Sequence, residues 1–328
     1  MNTPRFLDII KWDDAKCREH LEKARWPDGL RCPKCGSRDY WAINRKNPGK
    51  NQVTRLYRCK ACKKQYTVTV GTIFEDSHIP LAKWFMAIFL MCSSKKGMSA
   101  LQIARELDME HSYRHVWFMC HRIREAMRDK TFPKLMGTVE ADETYIHPRR
   151  RRGHPVQHER IKDEEQMGLR PKASKDWREG KPTVFGILER GGQVRTMKVS
   201  EATAEALAPL VRGYIDQTKA RLITDGHPAY RLIKKEMPHE VINHEEAYVI
   251  GDVHTQGIDN YWSLLKRGLV GTFHHVDADY LPSYLNEFEF RFNRRKIDDA
   301  DRFGSLMGQT KGRLLWYCQQ PISENPYA

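Results

Sequence analysis

Apolar residues recur every three or four positions along several stretches of the chain, which is the spacing of one buried helix face. This spacing predicts helices over residues 13–24, 80–92, 100–107, 113–127, 202–216, 229–235, 258–269 and 278–294. Stretches rich in Val, Ile, Thr and aromatic residues instead predict strands over residues 138–146, 183–189, 194–199, 221–224 and 240–244. In the second half of the chain, strands and helices alternate after an initial hairpin. That order is typical of a mixed α/β fold built in layers.

The length of 328 residues predicts two or three domains, at about 100–200 residues each. Changes in pattern set the expected boundaries. The predicted divisions are an N-terminal helix with a cysteine-rich ribbon (1–75), a helical region (76–132), a mixed α/β domain (133–300) with a basic insertion at about 148–182, and a tail (301–328).

The net charge of the chain indicates which class of partner it binds. Lys and Arg number 56 against 42 Asp and Glu, which gives a net charge of +14 and favours a polyanionic partner, nucleic acid before an anionic membrane. The most apolar stretch, Trp84 to Met91, is far shorter than the roughly 18 residues of a membrane span. The N-terminus lacks the pattern of a secretory signal. We therefore expect a soluble, cytoplasmic protein.

Four of the eight cysteines form two Cys-x-x-Cys pairs about two dozen residues apart, namely Cys32, Cys35, Cys59 and Cys62. Two such pairs at this spacing favour a tetrahedral Zn²⁺ site in a zinc ribbon, which is structural because protein thiolates fill every ligand position. The segment between the pairs predicts a β-hairpin arm with its turn at Asn47–Gly49. Two unrelated turns, or a redox dithiol, are the alternatives.

Residues 99–127 predict two short helices joined by a tight turn. Ser99 is the expected N-cap of the first helix. The second helix carries a basic face, from which we predict DNA contacts by Arg114, Arg122 and Arg124. This is the helix-turn-helix pattern. The alternative is an ordinary helical hairpin whose charged face is solvated.

Three acids stand where the α/β pattern brings distant segments together. Asp142 lies in the first strand, Asp225 ends a later strand, and Asp259 begins a helix. Carboxylates that converge from adjacent strands and a facing helix can bind Mg²⁺, and two such ions can act on a phosphoryl group. With 42 acids in the chain, chance placement at strand ends is the alternative, and Asp225-Gly226 alone is an ordinary turn.

Several blocks resemble bacterial insertion-sequence transposases of the DDE type that carry an N-terminal zinc ribbon. The resemblance extends from about residue 10 to residue 300 and is most specific around Asp259. The matching blocks are Val139–Tyr145, Val184–Ile187, Thr224–Gly226, His254–Arg267, Gly271–His275 and Phe290–Arg295.

The resemblance implies an RNase H-like catalytic domain that binds two Mg²⁺ or Mn²⁺ ions and cuts and joins DNA. It implies Asp142 and Asp225 as the first two metal ligands. The third position is Asp259 or its neighbour Asn260, where relatives often show Glu. Lys266 lies seven residues beyond Asp259, two turns along the same helix face, whereas it lies about 120° from Asn260. We therefore prefer Asp259.

By the same resemblance, Lys266 holds a phosphate of the transposon end and Arg267 contacts DNA. The expected partners are terminal inverted repeats and target DNA, bound by a dimer or larger homo-oligomer that is associated with the nucleoid. Two other functions remain open from the sequence. One is a DNA-binding regulator built on a catalytically inactive, domesticated transposase. The other is a nuclease that cuts DNA without joining it.

Overall fold

The computed structural model describes residues 3–43, 55–146, 181–234, 236–243 and 249–312. The chain divides into two compact units. Among the described residues, the N-terminal unit comprises those within 3–131 and 286–312, and the sheet unit comprises those within 132–285. The predicted turn at Asn47–Gly49 lies outside the described residues, as do the tail beyond residue 312 and all but the last two residues of the predicted basic insertion.

This division differs from the predicted domains in two ways. The ribbon and the helical region fall in one unit, and residues 286–300, predicted within the α/β domain, fall in the N-terminal unit.

The ribbon of the N-terminal unit is a three-stranded antiparallel sheet. Its strands are β1 (Tyr40–Ile43), β2 (Leu56–Cys59) and β3 (Gln65–Tyr66), with β2 in the centre. The pairing of β1 with β2 confirms the predicted hairpin arm. Because the sheet is small, its core consists of little more than Tyr57, Tyr66 and the cysteine side chains.

The helices of the N-terminal unit pack around one long apolar helix, α3. They are α1 (Phe6–Ile9), α2 (Asp14–Arg25), α3 (Leu81–Ser93), α4 (Ala100–Glu106), α5 (Tyr113–Met127) and, near the C-terminal end of the described chain, α9 (Asp299–Gly308). Helix α3 contacts α1, α2 and α9, and Phe303 of α9 lies in the same core as Phe85. The segment predicted as a partly helical tail therefore supplies a core helix.

Helices α4 and α5 pack against each other across a tight turn. The hydroxyl of Ser99 accepts a hydrogen bond from Gln102 N, which confirms the predicted N-cap. Asp108, at φ +49°, reverses the chain before a single 3₁₀ turn leads into α5.

The predicted basic face of α5 is wrong at two of its three arginines. Arg122 is 5% exposed, and its guanidinium donates to the carbonyl oxygen of Glu75 at 2.7 Å. Arg124 is 1% exposed, and its Nε donates to Glu287 Oε2 at 2.6 Å. Arg291 also forms an ion pair with Glu287. Both α5 arginines are held inside the unit by partners distant in sequence, and only Arg114 is exposed.

The sheet unit contains a five-stranded mixed sheet in the order β6-β5-β4-β7-β8. Strand β5 (Thr183–Glu189) runs antiparallel to both of its neighbours, β4 (Leu135–Tyr145) and β6 (Val194–Val199). Strands β7 (Ile215–Asp225) and β8 (His239–Ile242) extend the sheet in parallel from β4. The unit also holds helices α6 (Ala204–Tyr214) and α7 (Gln256–Gly268) and the start of α8 (Leu281–Asn293). The predicted mixed α/β class is confirmed.

Alternation along β4 sends its side chains to two different layers, because successive residues of a strand point to opposite faces. Val139 and Ala141 pack in the core with Leu207 and Val211 of α6. Glu140 and Asp142 instead contact α7. The central strand thus presents its acids to the helix that carries Asp259.

Two predicted helices of the sheet unit end differently in the structure. The helix predicted over 202–216 ends at Tyr214, and β7 begins at the next residue, so Asp216 lies in a strand. The helix predicted over 229–235 is wrong, since the described residues there form one 3₁₀ turn at Pro228–Tyr230 followed by turns. No helix in the described part of the chain is long and apolar enough to cross a membrane.

Candidate functional site

The four predicted zinc ligands come together at the base of the ribbon. Sulfur atoms of Cys32 and Cys62 lie 3.7 Å apart, and those of Cys35 and Cys59 lie 3.5 Å apart. Among the described residues, this is the one group of three or more Cys, His, Asp or Glu side chains whose ligand atoms all lie within 4.8 Å of one another. Zn²⁺ bound to four thiolates at about 2.3 Å requires sulfurs about 3.8 Å apart, so the group fits a structural zinc ion.

The two Cys-x-x-Cys turns have the same type of backbone conformation at one position. The residue after each second cysteine has a positive φ, +75° at Gly36 and +59° at Lys63. The amide of Gly36 donates to Cys32 O, and the amide of Cys62 donates to Cys59 Sγ. This last hydrogen bond is the main cause that lowers the pKa of Cys59 to about 6, which favours the thiolate that zinc binds.

In the sheet unit, Asp142 lies partly buried on β4 beneath helix α7. Burial, with the negative charges of Glu143, Asp225 and Asp259 around it, raises the pKa of Asp142 to about 7. Indole Nε1 of Trp262 donates a hydrogen bond to Asp142 Oδ2 at 2.8 Å and opposes this rise. Because burial and the neighbouring acids disfavour the ionised form of Asp142, a cation bound beside it would stabilise that form.

Trp262 lies on the buried face of α7, at 4% exposure. Its polar contact with Asp142 was missed, because helical periodicity shows only which face is apolar. Gly186, paired with Asp142 across the sheet, makes room for the indole. A Cβ atom at Gly186 would lie 2.5 Å from Trp262 Cη2. A glycine opposite Asp142 in a largely apolar strand was the available signal.

Asp225 ends β7, the strand parallel to β4. Because Thr224 is in register with Ala141, Asp225 at the end of β7 lies beside Asp142 within β4. Asp225 Oδ1 accepts a hydrogen bond from the amide of His227 at 3.1 Å.

Asp259 is exposed on the first turn of α7, where Thr255 donates to its Oδ2 at 3.2 Å. The three predicted acids therefore meet in one region of the sheet unit, where Asp225 and Asp259 are close enough to Asp142 to raise its pKa. Their carboxylates lie farther apart than the sulfurs of the cysteine group. Asn260, the alternative to Asp259, is exposed beside it on α7.

The predicted phosphate contacts extend along the same helix. Lys266 and Arg267 are exposed in the last turn of α7, while Ile258, Tyr261, Trp262 and Leu265 form its buried face. Arg267 Nε donates to the carbonyl oxygen of Ser263. Acid and cation thus share one solvent-facing side of α7.

On the opposite side of β4, Glu143 fixes the turn that follows Asp225. Tyr230 donates its hydroxyl to Glu143 Oε2 at 2.7 Å, and His227 Nδ1 lies 3.2 Å from Glu143 Oε1. Sequence reasoning did not single out either partner. Burial, together with the charge of Glu143, raises the pKa of Tyr230 well above its ordinary value.

Comparison with known proteins assigns both units to transposases. A profile described as the transposase zinc-ribbon domain matches residues 12–65, and one described as the ISXO2-like transposase domain matches residues 134–293. The chain is 29% identical over 274 residues, 83% of its length and 88% of the relative, to a protein of Halobacterium salinarum described as an uncharacterized protein in transposable element ISH50.

These matches, which cover both the cysteine ribbon and the mixed sheet, place the chain among the transposases. Within that class, the chain belongs to the insertion-sequence transposases that carry an N-terminal zinc ribbon.

Proposed function

We propose that the sheet unit is an RNase H-like catalytic domain of the DDE type, which cuts DNA at transposon ends and transfers the cut strand into target DNA. The observation that carries this proposal is the placement of Asp142 on β4 beside Asp225 at the end of β7 and beneath helix α7, which carries Asp259. The charges of Asp225 and Asp259 accordingly contribute to the raised pKa of Asp142. Acids from a central strand, a strand end and a facing helix repel one another unless a cation lies among them.

Asp142, Asp225 and Asp259 would hold two Mg²⁺ or Mn²⁺ ions. Hard cations take carboxylate oxygens and keep further positions for water and substrate oxygens, so the donor set fits them. When bound, such ions activate a water or a DNA 3′-hydroxyl and stabilise the charge that develops on the phosphate. Trp262 orients the Asp142 carboxylate by its hydrogen bond.

The remaining residues of the proposal bind DNA. Lys266 and Arg267 lie exposed on the Asp259 side of α7, where cations can hold a backbone phosphate. The ribbon, with α4 and α5 as a helix-turn-helix in which Arg114 is exposed, would bind the terminal inverted repeats. The net charge of +14 favours binding that weakens as salt rises. A homo-oligomer would bring two ends together.

The test incubates the purified chain with Mg²⁺, target DNA and a labelled duplex from the inverted repeats that flank its gene. Nicked and joined products are expected from the wild type. Asp142→Asn and Asp225→Asn should bind the duplex and give no product. Asp279→Asn, an exposed acid of the same unit, serves as the matched control. Full activity in both site variants would disprove the proposal, and cutting without joining would support a nuclease.

A further inference from the structure

The buried carboxylate of Glu140 lies on the same face of β4 as Asp142, two residues earlier, and is 0% exposed. Its Oε2 accepts a hydrogen bond from the amide of Ile258 at 2.9 Å. Its Oε1 accepts one from Arg190 Nε at 2.7 Å. Both oxygens of this acid are thus engaged, one by helix α7 and one by the arginine at the end of β5.

The contact with Ile258 replaces an ordinary helix cap. The first amides of a helix have no partner within it and usually bind the side chain of the N-cap residue. At the start of α7, the N-cap Thr255 makes no such capping bond, and its hydroxyl donates to Asp259 instead. Glu140, 118 residues earlier in the chain, satisfies the amide and places a negative charge at the positive end of the helix.

Arg190 secures the segment that leads into α7. Its two terminal nitrogens donate to the carbonyl oxygens of Asp252 and His254, each at 2.7 Å. Since its Nε binds Glu140, one guanidinium joins strand β4 to the loop before the helix. The planar fork of arginine fixes all three contacts in one orientation, which a lysine cannot do.

Gly257 shows how closely the helix is seated on Glu140. A Cβ atom at Gly257 would lie 2.7 Å from Glu140 Oε2 and 2.9 Å from Leu188 Cδ2. Only a glycine permits the first turn of α7 to approach the carboxylate at this distance. The approach fixes the position of Asp259, two residues further along.

From these contacts we infer that Glu140 and Arg190 are positioning residues that set the first turn of α7, so that Asp259 faces Asp142 and Asp225 at the distance needed to share a divalent cation. Neither residue touches the DNA or the cation. This inference rests on the proposed function of the three acids. Partners that orient metal ligands typically contribute about 10- to 100-fold in metal affinity.

The test compares Glu140→Gln and Arg190→Lys with the wild type in two measurements. The first is the affinity of the DNA-free, zinc-loaded chain for Mn²⁺, and the second is the rate of end cutting at saturating DNA. In both variants we expect Mn²⁺ affinity and kcat to fall about tenfold, with KM for the DNA within about twofold and kcat partly restored by excess Mn²⁺. Glu236→Gln, which removes an exposed ion pair with Arg212, is the matched control.

Melting temperature separates positioning from folding. If either variant melts lower but keeps wild-type Mn²⁺ affinity and kcat, the pair is merely structural and the inference is wrong. If Glu140→Gln does not fold, Arg190→Lys decides, because Arg190 is only partly buried. Asp142→Asn is measured alongside. An inactive Asp142→Asn beside unaffected positioning variants overturns this inference alone, whereas a fully active Asp142→Asn overturns the proposed function and the inference together.

Discussion

The indole of Trp262 donates a hydrogen bond of 2.8 Å to the carboxylate of Asp142, across the gap between helix α7 and strand β4. This contact joins the helix that carries Asp259 to the strand that carries Asp142, whose pKa is raised. It stabilises the charged form of Asp142 in a place where burial and neighbouring acids disfavour it.

Replacing Trp262 with Phe keeps an aromatic ring and removes this donor. We expect end cutting to slow about tenfold or more, since a hydrogen bond to a charged group contributes about 1.5–3 kcal/mol. Cutting rates across pH 6 to 9 should show the midpoint of the activity rise shifted upward. An unchanged midpoint and rate would mean that the indole only fills space. Trp117→Phe in the N-terminal unit is the control.

Gly186→Ala should destabilise the sheet unit by about 1–3 kcal/mol, as overpacked cores do. The added methyl would lie 2.5 Å from the six-membered ring of Trp262, a rigid neighbour. Urea unfolding measures the effect, with Gly271→Ala as control because nothing lies within 4 Å of a Cβ there. In a Trp262→Phe background the cost should shrink. Equal costs in both backgrounds would contradict the proposed contact.

The stability of the metal-free chain should depend on pH through Asp142. Its pKa is raised from 3.8 to about 7, so the folded state binds a proton that the unfolded state has lost. The resulting stabilisation is present below about pH 4, falls as the pH rises, and is gone above about pH 7. Asp142→Asn lacks this dependence. Its stability relative to the wild type should therefore increase between pH 4 and pH 7 and then level off, as followed by thermal melting in EDTA.

Removing zinc should unfold the ribbon. Cys35→Ser replaces an exposed ligand, so a loss of bound zinc, measured by metal analysis, would come from coordination and not from a damaged core. Melting of the ribbon should occur at a lower temperature, because binding energy at such sites is folding energy. Cys17→Ala, a buried thiol on α2 outside the group, should keep its zinc. Stoichiometric zinc in Cys35→Ser would contradict the ligand assignment.

Two arginines of α5 should behave in opposite ways. Arg114 is exposed, so Arg114→Ala should weaken binding to end DNA and lower its salt dependence by about one ion, with little change in melting. Arg124→Ala should cost about 3–5 kcal/mol of stability, because it leaves the buried Glu287 without one of its ion pairs. Lys23→Ala, an exposed cation on α2, controls for charge. A stable Arg124→Ala chain with weakened DNA binding would contradict this division.

Local patterns predicted the parts of the molecule that depend on local contacts. Cys32, Cys35, Cys59 and Cys62 were found from spacing alone, because each pair is held by its own turn. Helix α5 was predicted over its full length, since one apolar stripe marks it. The strand pattern put Asp142 within one strand and Asp225 at the end of another, and the structure pairs these two strands directly.

Contacts between residues that are far apart in the sequence could not be predicted from it. The local pattern predicts that Arg124 is a surface cation, because that pattern does not reveal its partner Glu287, 163 residues away. Trp262 has the spacing of a core residue, and nothing in that spacing reveals a hydrogen bond to an acid 120 residues earlier. The local pattern allows the helix to continue past Tyr214, but the residues that follow pair with β4 and form a strand.

The alternation of β4 has a consequence for how the sequence of this protein can change over generations. Glu140 and Asp142 project to the α7 side while Glu143 projects to the Tyr230 side, so a single inserted or deleted residue within the strand would exchange these assignments. The apolar residues of β4 can be exchanged for other apolar residues, but the alternation of its side chains between the two faces of the sheet must be kept. Frameshifted or length-altered copies in this stretch should survive only as immobile remnants.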